Sequence, residues 1–328
     1  MDPLGPRQRE AEGSAARQAW QARLSAGSGG ETSNSHKPPP FLPYFISMRM
    51  TREGGRRRAR GGPLDPLTSI VLRVYRVVMP SKPAEFAGAT ASGVVIERAG
   101  DVLSFTLDTP EHENEVTGAM FDAMLAELRR EAAHPGARVL RLRARGRVFC
   151  TGRERAGRDA ATIHHESARL IEFKRALRVS PLISVAEVQG DAFGFGFGLA
   201  IVCDFVYVSE RASLGFPEMK FGLAPAAIMA YLGEYALPRH AFPLVLFGDP
   251  ITPQQAREIG LISHVSPAAN LSTDVDALID RILRLDPNAA RNCKEFFQTA
   301  LQNSFEQNCR LATEALTVGS LAVLARQK

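Results

Sequence analysis

Three segments of this sequence set small, polar or acidic residues where chemistry could be done. The first is Phe149-Cys150-Thr151-Gly152-Arg153, in which the strand-like Val139, Leu140 and Leu142 run on into a turn of small residues. Such a turn can present a backbone N–H to a ligand, and equally it can be only a turn. Cys150 offers a nucleophile, but no histidine stands at a pairing distance along the chain. His164-His165 lies on a predicted helix, where adjacent side chains diverge, so both read as surface residues and not as metal ligands.

The second segment is Gly190-Asp191-Ala192-Phe193-Gly194-Phe195-Gly196-Phe197-Gly198. It follows a predicted strand and opens an apolar helix. Free N–H groups there could hold an anion or a developing oxyanion. A dinucleotide loop is the rival, but the third glycine comes one residue early for G-x-G-x-x-G. The third segment is Phe216-Pro217-Glu218-Met219-Lys220-Phe221-Gly222. A carboxylate in an apolar run is costly unless paired or used, and burial raises its pKa into the range where it moves protons near neutrality. The plain alternative is a solvent-facing Glu218 between a strand and a helix.

Alternating strands and helices must position these segments. Residues 94–97 and 102–107 alternate around Ala99-Gly100-Asp101, which predicts a β-hairpin. Val116, Met120, Met124 and Leu128 recur every four residues and predict an amphipathic helix that His134-Pro135-Gly136 ends. A second helix is predicted over about 160–177, strands over 182–188 and 205–208, and mostly helix after Pro225, including 274–285 and roughly 289–324. Asp204, at the head of a strand and after Ile201–Cys203, reads as structural. The class is α/β with a helical C-terminal part.

Composition narrows the function. The chain has 328 residues, 45% of them apolar, enough for a sizeable core, and no apolar run reaches the ~20 residues of a membrane span. The net charge is +5, but residues 1–90 carry 14 basic and 7 acidic side chains, leaving 26 and 28 for the rest. The main domain is thus slightly acidic, which argues against nucleic acid as its partner. Residues 1–88 are rich in Pro, Gly, Ser and Arg and are expected to form a disordered basic tail, with Met79 a candidate true start. Cys150, Cys203, Cys293 and Cys309 form no C-x-x-C pair and are expected to be buried reduced thiols of a cytoplasmic protein.

Taken together and in order, these segments resemble the enoyl-CoA hydratase/isomerase (crotonase) family. The resemblance covers about 94–265. It rests on Leu107-Asp108-Thr109-Pro110, Asn114, Arg147-Val148-Phe149-Cys150-Thr151-Gly152, Pro181-Leu182-Ile183-Ser184-Val185-Ala186-Glu187-Val188-Gln189-Gly190, Cys203-Asp204, Pro217-Glu218, Gly222-Leu223-Ala224-Pro225 and Gly260-Leu261-Ile262.

The resemblance implies a crotonase-like spiral of ββα units over 89–267, and a C-terminal helical part over 268–328 that builds a homotrimer or hexamer. It implies an acyl-CoA thioester as substrate, with coenzyme A part of that substrate and no separate cofactor or metal. It assigns the oxyanion hole to the backbone N–H groups of Arg153 and Phe195, and substrate contacts to Cys150, Thr151, Gly152, Gly194, Gly196 and Gly198. Glu218 becomes the proton-transferring residue.

Two departures stand out. The family usually has glycine where Phe195 stands and a small residue where Arg153 stands; a phenyl ring at 195 would narrow the pocket or alter the turn. Hydratases of the family commonly carry a second glutamate where this chain has Gly198. A single glutamate suits isomerisation, in which Glu218 takes a proton from one carbon and returns it to another. Some family hydratases also lack that glutamate and share the Gly-Leu-x-Pro-Ala-x-Ile stretch of 222–228. A catalytically silent acyl-CoA-binding or scaffold member is the alternative.

Overall fold

The computed structural model describes residues 89–91 and 93–326. The tail and the candidate start at Met79 lie outside the described residues.

The hairpin forms as its alternation predicts. Strand β2 (Val94–Ala99) pairs antiparallel with β3 (Val102–Leu107), with β1 (Ala89–Ala91) added outside β2. From β3 onward every pairing in the main sheet is parallel, through β4 (Val139–Ala144), β5 (Ile183–Val188), β7 (Phe205–Ser209) and β9 (His264–Ser266). A second, two-stranded sheet joins β6 (Ala192–Phe193) to β8 (Leu214–Gly215). Parallel neighbours need crossovers, and α1 (Gly118–Ala133) and α2 (Ala160–Arg178) supply the first two. Thr117 caps α1 by accepting the Met120 N–H, and Asp159 caps α2 by accepting from Ala161 and Thr162.

The face of α1 read from the four-residue spacing is the one buried: Val116, Met120, Met124 and Leu128 all face the main core. That core also holds Phe149, Phe173, Phe197 and Phe216. A smaller cluster on the sheet's other face packs Val139 and Val185 under Val275, Leu278 and Ile279 of α7 (Leu271–Leu283). Asn114 is fully buried and stitches three segments: its Oδ1 accepts the Thr109 N–H, and its Nδ2 donates to the Arg145 and Val148 carbonyls. Asp204 is structural, as its place predicted. It accepts from the Ser184 N–H and hydroxyl and from Lys294, tying β5 to β7 and to α8 (Pro287–Ala300).

Helix α3 (Phe195–Ile201) follows β6, and beyond residue 225 lie α4 (Ala226–Leu232), α5 (Pro238–Phe247) and α6 (Pro253–Glu258). The mostly helical reading misses β9, three residues that join the sheet by pairing with β7. The stretch read as one helix over 289–324 breaks at residues 301–304, giving α8 and α9 (Phe305–Arg326).

The expectation that all four thiols are buried is corrected. Cys150 and Cys203 are buried, but Cys293 and Cys309 are exposed, on α8 and α9, whose side chains are mostly outside the core.

Candidate active site

The three segments meet at the start of α3. The first loop is hooked on one side to the segment before α1: Val116 N–H donates to the Gly152 carbonyl, and Glu154 N–H donates to the Val116 carbonyl. Arg153 lies between those two bonds as the bridge partner of Val116. Its own N–H has no hydrogen-bond partner among the described residues. On the other side the loop is laced to the glycine-rich segment, with Phe193 N–H on the Cys150 carbonyl at 3.0 Å and Cys150 N–H on the Asp191 carbonyl at 3.3 Å.

Two glycines make the approach possible. Gly194 has φ +53°, a left-handed conformation that non-glycine residues rarely adopt, and its N–H is anchored on the Gly215 carbonyl. The chain thereby turns into α3 with the Phe195 N–H at the first helical position, free of any partner among the described residues. A Cβ at Gly196 would lie 2.2 Å from the Cys150 carbonyl oxygen and 2.7 Å from its Cβ. Cys150 and Gly196 are therefore in backbone contact and form the wall joining the two loops. Thr151 donates its N–H to the Glu113 carbonyl.

Neither Phe195 nor Arg153 obstructs the turn. The Phe195 ring goes into the core, edge-on to Phe121 at 5.1 Å, and Phe121 packs in turn on Phe173. The positive φ falls on Gly194, so the residue at 195 needs no glycine freedom. The Arg153 guanidinium turns aside to Glu166, 3.8 Å away, and to the Glu154 carbonyl.

Glu218 stands in a short 3₁₀ turn (Pro217–Phe221) after β8. Its carboxylate covers Gly194: Oε1 would be 3.0 Å from a Cβ there. Its Oε2 is buried with no hydrogen-bond partner among the described residues. Burial pushes the carboxyl pKa up, and the positive charges of Arg155 and Lys174 oppose this. The acid is therefore partly desolvated, with one oxygen unpaired among the described residues, beside the free N–H of Phe195. Cys150 is a different case. Burial pushes its thiol up to about 12, so it is no nucleophile at neutral pH. His164 and His165 are exposed on α2, as the sequence reading has them.

The space beside Gly198 is filled. A Cβ there would meet Lys174 Nζ at 2.7 Å and Tyr231 Oη at 2.9 Å. A glutamate at 198 would have to displace both. Neither Lys174 nor Tyr231 is among the residues picked from the sequence. One signal was present: on α2, Leu170, Lys174 and Leu177 recur at the spacing of the apolar stripe, so the lysine sits where a core residue belongs.

Comparison with known proteins bears on the fold and the family. A family model described as enoyl-CoA hydratase/isomerase matches residues 97–319. The chain is 30% identical over 237 residues to a 2,3-dehydroadipyl-CoA hydratase of Escherichia coli, covering 68% of this chain and 86% of that protein. It is 31% identical over 214 residues to an enoyl-CoA isomerase/hydratase of Mycosarcoma maydis, covering 59% and 75%. Among solved structures, a Thermobifida fusca protein in complex with CoA superposes with a TM-score of 0.64 at 29% identity, covering 71% of this chain and 95% of that one. The enoyl-CoA hydratase of Mycobacterium smegmatis shares the fold at a TM-score of 0.67 and 22% identity, over 69% and 90%. With the family model spanning most of the sheet, both loops, Glu218 and most of the C-terminal helices, this chain belongs to the enoyl-CoA hydratase/isomerase family.

Proposed function

We infer that this protein is an enzyme acting on acyl-CoA thioesters, and that it works by stabilising a thioester enolate. In this reading the thioester oxygen lies between the Arg153 and Phe195 N–H groups, and Glu218 moves the proton at C2. Negative charge grows on that oxygen as the C2–H bond breaks or as C3 is attacked. Two fixed donors in a desolvated site favour that change, and losing one such donor typically costs ~10²–10³ in rate. The observation that carries the reading is Glu218 Oε2: a buried carboxylate oxygen without a partner among the described residues, over a glycine next to an N–H that none of them uses. Such a group is expensive to keep unless a substrate completes it.

Glu218 is the single glutamate of this arrangement, in keeping with isomerisation or hydration of an enoyl-CoA. The test is a panel of 2-enoyl-CoA and 3-enoyl-CoA thioesters of several chain lengths, with products identified. Turnover of at least one is expected. Tight binding of acetoacetyl-CoA with no turnover of any member would instead establish the silent acyl-CoA-binding reading.

A homotrimer or hexamer is part of the proposal. Phe297, Leu301, Phe305, Leu316 and Leu324 on and between α8 and α9 are each more than half exposed. Apolar surface on that scale usually becomes an interface. Light scattering at micromolar concentration is expected to give a mass of three or six chains; a stable monomer would refute the assembly. No helix among the described residues is long and apolar enough to cross a membrane.

A further inference from the structure

Lys174 is a cation placed where cations are rarely kept. It lies on the apolar stripe of α2, and only 5% of it is exposed. Its Nζ donates to Tyr231 Oη and lies 4.8 Å from the Tyr231 ring centroid and 5.2 Å from that of Phe195. An ammonium carries three donors, and Tyr231 is its one hydrogen-bond partner among the described residues. Burial pushes its pKa down to about 7, with the Glu218 charge opposing. The neutral amine is thus well populated near neutrality.

The direction of the bonds matters more. The Tyr231 hydroxyl donates its proton to the Gly198 carbonyl at 2.9 Å. Its oxygen can then only accept from Lys174, so the amine is held by one of its N–H groups and its lone pair stays free for a proton. Lys174 and Glu218 also share one short stretch of α3. Glu218 Oε1 covers Gly194, and Lys174 Nζ covers Gly198, four residues further on, about 6 Å along the axis. The other charge felt at this pair is that of Arg155, from the loop before α2, which acts on Glu218, while Tyr235, just after α4, acts on Tyr231.

We propose that Lys174 is the second proton-transferring group of this site: held by Tyr231, its amine takes a proton from the water that adds to C3 of a 2-enoyl-CoA, while Glu218 protonates C2. This rests on the reading that Glu218 acts at C2. One O–H bond of water breaks, its proton goes to Nζ, and its oxygen bonds to C3. The π pair of the double bond moves toward the thioester oxygen as an enolate, and C2 then takes the Glu218 proton. The resulting Lys174 ammonium and Glu218 carboxylate return to amine and acid by passing one proton through solvent. The net change is one water added to one enoyl-CoA. In this reading the chain has an amine where many hydratases of the family have a second carboxylate, and its reaction is hydration.

The experiment separates the two halves in the full-length protein. Exchange of the C2 protons of butyryl-CoA in D2O reads Glu218 alone, because nothing happens at C3. Conversion of crotonyl-CoA to 3-hydroxybutyryl-CoA needs both groups. Lys174→Met should lower hydration about 100-fold or more in kcat while C2 exchange stays within a few-fold of wild type. Tyr231→Phe, which frees Nζ without removing it, should give the same split with a smaller loss. Undiminished hydration in Lys174→Met, or equal loss of exchange and hydration in both variants, would overturn the proposal and leave Lys174 a packing residue. A wild type that exchanges but does not hydrate would also overturn it. If Glu218→Gln still exchanges C2 protons, the underlying reading of Glu218 fails instead.

Discussion

Glu218→Gln is expected to lower kcat about 10³-fold on every active thioester while leaving CoA-thioester affinity nearly unchanged. The amide keeps the shape of the carboxyl but cannot take a full proton, so a step that depends on proton transfer loses most of its rate. Affinity survives because the proposed oxyanion donors are backbone N–H groups of Arg153 and Phe195, which the substitution does not touch. Isothermal titration with acetoacetyl-CoA and steady-state kinetics check the two halves. Unchanged turnover on every active substrate would place the base elsewhere.

Gly196→Ala is expected to be a severely damaging single-methyl change at the seam between the two loops. The added Cβ would fall 2.2 Å from a backbone carbonyl oxygen, that of Cys150, and no flexible side-chain end is there to yield. Either the first loop or the start of α3 must move. Overpacking of this kind costs about 1–3 kcal/mol, and the upper end corresponds to a melting-temperature drop of roughly 10 °C for a domain of this size. Turnover should fall further than stability suggests, since the same shift moves the Phe195 N–H away from the Arg153 N–H. Differential scanning calorimetry beside kinetics tests this. A melting temperature within a degree or two of wild type would show that the loops are not locked as described.

Much of this was legible in the residues. Period two gave the β2–β3 hairpin, and four-residue spacing gave the buried face of α1, because each is a local pattern with one dominant physical cause. Strand β9 was not legible: three residues carry no periodicity, and it exists because β7 offers an edge to pair with. The break between α8 and α9 did leave a signal, Ser304 with Gln307 three residues on, whose side chains cap the start of α9 reciprocally; the apolar run on both sides hides it. At the site, Glu218 and the two loops were found from the order of their motifs, each too short to stand alone. Lys174 and Tyr231 were missed because their meeting at Gly198 joins residues 57 apart in sequence. Even so, a lysine at a core position of an amphipathic helix is a local contradiction, and such contradictions often mark function.

The same lysine ties the fold's stability to proton concentration. In the unfolded chain its amine titrates near the ordinary ~10.4, whereas in the native site it titrates at about 7. Between those values the unfolded chain holds a proton that the native one has released, so this residue makes stability climb as pH rises across that window. Below pH about 7 the native site must accept the charge, and the handicap is present in full. Through Lys174 the folded protein is thus stabilised by alkali and weakened toward neutrality, the reverse of what an ion-paired surface lysine would bring.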